Sequence, residues 1–161
     1  MTTQSFLGCS DPFSSLSHLV GATVCFCSAF PLLKSEPKIA HRIALLVFSF
    51  GCIFLLLMSG VYHLLPIESQ GRAVLQRLDH AAIFILIAGT FTPVHTILFS
   101  GFWRWAPLVV IWSIAIAGIT LKSIFFSQIP EVLSTSIYLG MGWLGIVSGI
   151  LIVAEQGLQF I

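Results

Sequence analysis

Charge is what this sequence has least of. Seven Lys and Arg and six Asp and Glu make up 8% of 161 residues, where soluble globular domains carry about 25%. With 57% hydrophobic residues and a mean hydropathy of +1.03, the chain has too few polar groups to cover a water-facing surface. That excludes a soluble domain and leaves an integral membrane protein. No basic cluster exists to neutralise phosphates, so nucleic acid is excluded as a partner. The start MTTQSFLGCSDPFSSLSH has no positive charge of the kind that opens a cleavable signal, so it is expected to stay in the mature chain. Four cysteines, Cys9, Cys25, Cys27 and Cys52, show no C-x-x-C metal spacing. The last three lie in apolar runs, where small buried hydrophobes are expected. There is no G-x-S-x-G nucleophile elbow and no Gly-rich phosphate loop.

Long apolar runs are what the sequence does have. A bilayer-crossing helix needs about 20 mostly apolar residues, and five stretches qualify: 16–33, 43–65, 79–99, 105–121 and 133–154. The expected fold class is all-α, a polytopic transmembrane helical bundle forming one integral membrane domain over 1–161. The linkers PLLKSEPK, PIESQGR, SGFWRW and SQIPE are short and hold Pro, Gly and Ser. The cations fall outside or at the rims of the runs, as the cost of a midplane charge requires. They split almost evenly, Arg72, Arg77 and Lys122 against Lys34, Lys38, Arg42 and Arg104, so charge alone does not orient the chain. Tyr62, Trp103 and Trp105 suit the interface. Gly140, Gly142, Gly145 and Gly149 are small enough to admit a neighbouring helix.

Antiparallel helices with short loops bring the start of the first span, the end of the second and the start of the third to one membrane face. That face collects His18, Ser59 with His63, and Asp79 with His80. His41 lies about 33 Å from His63 along the helix, and His95 about 24 Å from Asp79, so both belong to the other leaflet. Ser59 and His63, four residues apart, share a helical face. Asp79 and His80 diverge by about 100° and cannot aim at one point. Ionisable groups at membrane depth usually mark function. The competing reading places them all in the wet interfacial layer. Imidazoles beside a carboxylate suit a catalytic zinc, which takes three protein ligands and lowers the pKa of its water to about 7. In such a site Asp79 would bind the water and Ser59 would orient a ligand from behind.

Four segments, DPFSSLSHLVGA, MSGVYHLL, RLDHAAIFILIAGTFTP and IPEVLSTSIYLGMGWLGI, resemble in order and spacing the hemolysin III family. That family groups with the progestin and adiponectin receptors and is similar in turn to alkaline ceramidases. The resemblance implies seven helices, a zinc ion near their cytoplasmic ends, a cytoplasmic N-terminus and, for a bacterial member, the inner (plasma) membrane. It assigns His63 as a zinc ligand, with Ser59 and Asp79 in the catalytic set. His18 and His80 match positions of the bacterial branch without an assigned role. The implied activity is zinc-dependent hydrolysis of a lipid amide. The implied partners are membrane lipids, one of them the substrate, and a homo-oligomer or a complementing chain. Alternatives are a pore of the hemolysin type and a non-catalytic, receptor-like module.

One departure matters. The family draws two further ligands from an H-x-x-x-H on its seventh helix, and that pattern occurs nowhere here. Five spans stand against seven. The metal site is therefore expected to be incomplete in this chain, whether as a truncated gene product, a fragment completed by another chain, or a five-span variant without metal.

Overall fold

The structure, a computed structural model, describes residues 11–67 and 69–156; Cys9 lies outside them. Five helices follow one another: α1 Pro12–Ser35, α2 Ile39–Leu64, α3 Gln70–Leu98, α4 Gly101–Ile124 and α5 Glu131–Gln156. All five are long and apolar enough to cross a membrane. The fold class is the expected one, and the chemistry at each boundary is local. Asp11 caps α1 by accepting from the Ser14 amide at 3.2 Å, with Pro12 at the first helical position. Pro66 halts α2, because the residue before proline is forced out of the helical region. Ser69 caps α3 through the Arg72 amide at 3.3 Å. Gly101 starts α4 at φ +57°, a conformation that costs other residues more.

The helices run longer than hydropathy suggests. α3 differs most, beginning nine residues before Asp79, because its first two turns are polar and are held by the cap rather than by lipid. Asp79 is therefore about 13 Å into a helix, not at its opening.

Packing centres on α3, which touches α2, α4 and α5. The α2–α3 seam is antiparallel and close: a Cβ on Gly51 would sit 3.3 Å from the Leu86 Cα, and one on Gly89 would sit 3.5 Å from the Val47 carbonyl. Small residues do in lipid what large apolar ones do in water, letting backbones approach where no hydrophobic force drives them together. On its other side α3 buries Phe84, Ala88 and Phe91 against Leu108, Ile111 and Ala115 of α4 and Met141 of α5. The outer faces of α1 and α5 stay open to lipid, with Phe30, Trp143 and Val147 all exposed.

Two sequence expectations change. Gly140 and Gly142 are exposed, a Cβ on either or on Gly149 would meet nothing within 4 Å among the described residues, and one on Gly145 would come only to 3.8 Å from the Phe91 ring, so the close approaches fall on α2–α4 instead. Cys27 is exposed rather than buried, because it occupies the outer face of α1.

Candidate functional site

The start of α1 and the end of α2 are stitched together at what we term the near end of the bundle. The Asp11 amide donates to the His63 carbonyl (3.2 Å), and the Ser15 hydroxyl donates to the Gly60 carbonyl (2.8 Å). Glycine at 60 gives this contact its room, since a Cβ would meet the Leu19 side chain at 2.9 Å and force it to shift. This seam places the His18 and His63 rings edge to face, centroids 5.8 Å apart. The Asp11 carboxylate lies 3.9 Å from His63 Nδ1, and the Tyr62 ring packs against His63 on the other side. Nδ1 of His18 is buried and has no hydrogen-bond partner among the described residues. Buried imidazole nitrogens are normally satisfied, so this one is the open valence of the corner.

Two supports hold the end of α2. Arg72 lies over the Tyr62 ring (4.4 Å to the centroid) and donates through Nη1 to the carbonyls of Leu65 (2.7 Å) and Tyr62 (3.3 Å). A cation bonded to the last carbonyls of a helix also opposes the negative end of its dipole. Asp11 is held below the ordinary aspartate value of 3.8, first by hydrogen bonds from the Ser14 hydroxyl (2.6 Å) and amide, then by the facing imidazoles of His63 and His18. A depressed folded-state value stabilises the protein fully above 3.8, and that contribution disappears as pH falls through the folded value. Part of the acid-induced loss of thermal stability below about pH 4 is therefore expected to vanish in Asp11→Asn, which still caps the helix but cannot titrate. Melting curves from pH 5 to pH 3 would check it, and identical acid profiles would refute it.

Ser59 is buried on α2, one turn before His63. Extending the α2–α3 pairing (Gly51 against Leu86, Gly89 against Val47 and Phe48) sets Asp79 level with Ser59, about 7 Å deeper than His63. The Asp79 carboxylate also lies within electrostatic reach of the Tyr138 hydroxyl on α5. His80 turns toward α4 and α5. Its Nδ1 donates to the Gln76 carbonyl (2.7 Å), its ring meets Phe126 edge-on, and its own carbonyl accepts from Tyr138 (3.1 Å). His41 pairs with Glu36 at the opposite, far end (3.4 Å). His95 is fully buried toward that end, between the Trp103 carbonyl and the Ser148 hydroxyl.

The structure thus joins His63 to His18 and Asp11, and sets Asp79 one to two turns deeper, toward α5. Asp11 escaped the sequence reading, although an Asp-Pro pair before an apolar run is a helix-start signal that could have found it. Among the described residues, no three His, Cys, Asp or Glu side chains converge closely enough to hold a metal ion. As a complete zinc site the residues do not fit. An apolar cleft of about 490 Å³ between α2, α3 and α4, lined by Ala44, Thr92, Trp105 and Trp112, opens toward the far end, away from this corner.

Comparison with known proteins matches residues 9–158 to the Haemolysin-III related family model. The chain is 38% identical to a protein of Bacillus subtilis (strain 168) named Hemolysin-3 homolog, over 102 residues, covering 63% of this chain and 47% of that protein. It is 33% identical to Hemolysin-3 of Bacillus cereus over 138 residues, covering 84% of this chain and 62% of that one. The chain thus spans less than two thirds of the length of these relatives.

Proposed function

The chain belongs to the haemolysin III-related family, and on that premise we propose that it carries part of the zinc site of a lipid-amide hydrolase in a bacterial plasma membrane. The near end faces the cytoplasm in this reading, and His63 with His18 forms the metal-facing corner. The observation that carries the reading is the buried, unpartnered Nδ1 of His18 beside the His63 ring. A lone imidazole in an apolar bundle is usually satisfied, whereas two at one level with a nitrogen left open suit a cation. Asp79 and Ser59, deeper in the same end, supply the polar groups of the reacting chamber. Because the described residues do not complete the metal site, the remaining ligands must come from beyond them, on the same polypeptide or another. Membrane lipid is the substrate class, since the access routes between these helices are apolar.

Zinc titration of the purified chain in detergent tests this reading. We expect binding that weakens about tenfold or more in His63→Ala and in His18→Ala, and that is unchanged in His41→Ala at the far end. Zinc uptake indifferent to His63 and His18 would remove the reading. Release of dye from liposomes by wild type and His63→Ala alike would put a pore in its place, which is what the relatives' name, Hemolysin-3, suggests of them.

A further inference from the structure

Lys122 ends α4 with its side chain only 3% exposed, although it sits among apolar helices. Among the described residues its recorded contact is the Phe126 ring, 4.9 Å from Nζ to the centroid. Arg77 of α3 approaches the same ring, more loosely at 5.8 Å, and the His80 ring meets it edge-on at 5.3 Å. Neither Lys122 nor Arg77 has a carboxylate within 4.0 Å among the described residues, where the ion pairs are His41–Glu36 and His63–Asp11. A cation–π contact restores only part of what an ammonium loses on leaving water.

A second and independent observation lies at the same level. The Ser134 hydroxyl on α5 is buried, 4% exposed, and has no hydrogen-bond partner among the described residues. The pairings of the bundle set it level with Lys122. Phe84 packs against Gly118 of α4 and Tyr138 of α5. One turn toward the near end from each of these three residues stand His80, Lys122 and Ser134. So an unbalanced cation and an unsatisfied hydroxyl occupy one layer of the α3–α4–α5 junction, with Arg77 one turn nearer the rim. The layer lies in the last turn of α4. Glu131, exposed three residues before Ser134 on α5, is the nearest acid in sequence to Lys122 and Ser134, and among the described residues it makes no ion pair with Lys122 or Arg77 within 4.0 Å; Asp79 is the nearest to Arg77.

We propose that Lys122, Ser134 and Arg77 form a binding site for a phosphate-type anion at the near end of α3, α4 and α5, with Phe126 as its wall. The ammonium supplies charge, the hydroxyl supplies a fixed hydrogen bond, and the guanidinium closes the site from the rim. The site stands apart from the histidine corner and does not depend on zinc. The anion is either the headgroup of an acidic phospholipid or free phosphate, two sources with the same chemistry.

Thermal unfolding of the whole chain in phosphatidylcholine nanodiscs separates these sources, with phosphatidylglycerol added in one arm and inorganic phosphate in the other. Stabilisation by phosphatidylglycerol alone identifies a lipid headgroup, and stabilisation by phosphate identifies a soluble anion. In either case Lys122→Met should weaken the response about ten- to a hundredfold, Ser134→Ala should weaken it less, and Lys122→Arg should keep it. Lys122→Met should fold at least as well as wild type without the anion, because it removes a buried charge. Should that variant not fold, Arg77→Gln, at an exposed position, must show the weakened response. No stabilisation in either arm, or an undiminished response in Lys122→Met, overturns the proposal.

Discussion

Gly118→Ala is expected to destabilise the protein by about 2–3 kcal/mol, the upper part of the usual range for overpacking a core. In an exposed helix the same change stabilises by about 0.5–1 kcal/mol, because alanine is the better helix former. Packing reverses the sign here. A methyl at 118 would land inside the van der Waals envelope of the Phe84 ring. Phe84 is 1% exposed and packed on its other side against the Tyr138 ring, 4.6 Å away. It has no room to withdraw, so either α4 moves or α5 lifts. Phe84→Leu should relieve the strain, and the double variant should be less destabilised than the two single changes added together, a coupling a double-mutant cycle resolves. Unfolding in mixed micelles would measure all four proteins. Strict additivity would mean that the ring and the glycine do not meet.

His95→Ala should cost more, about 3–4 kcal/mol, and the reason begins with a proline. Pro107 lies in α4 with no amide hydrogen, so the Trp103 carbonyl four residues earlier lacks its helical donor. His95 Nδ1 replaces that donor at 2.9 Å. A carbonyl only accepts, so Nδ1 carries the proton and Nε2 accepts from the Ser148 hydroxyl, also at 2.9 Å. The ring is fully buried and stacked against Phe99 at 4.7 Å. Deleting it leaves a cavity and an unsatisfied carbonyl in a medium with no water to replace the bond. It also cuts the polar link that holds α5 to α3 near the far end. Pro107→Ala in the same protein should recover about 1 kcal/mol by returning the amide to Trp103. Equal stability of the single and double variants would dissociate the histidine from the proline.

These cases show where sequence reading reached and where it stopped. The grouping of His18, Ser59, His63, Asp79 and His80 at one end followed from span order alone, because short loops leave consecutive helices no arrangement but antiparallel. The same argument put His41 and His95 elsewhere, and the structure agrees. Partners did not follow. His63 meets Asp11, a cap the sequence reading did not single out, and Asp79 sits deeper because the capped polar turns of α3 extend the helix before it. Lys122 looked like an ordinary rim cation, since nothing local reveals that the folded chain buries it.

The sequence by itself determined that the described residues form five apolar membrane-crossing helices, because hydropathy, caps and prolines act on neighbouring residues and need no knowledge of the fold. Only the tertiary structure decided which polar groups meet, which glycines are contact points and which cations lack a counter-charge. Those properties depend on the rotation and register of one helix against another, and that is fixed by packing between residues tens of positions apart: Gly51 on Leu86, Phe84 on Gly118, His95 on Ser148.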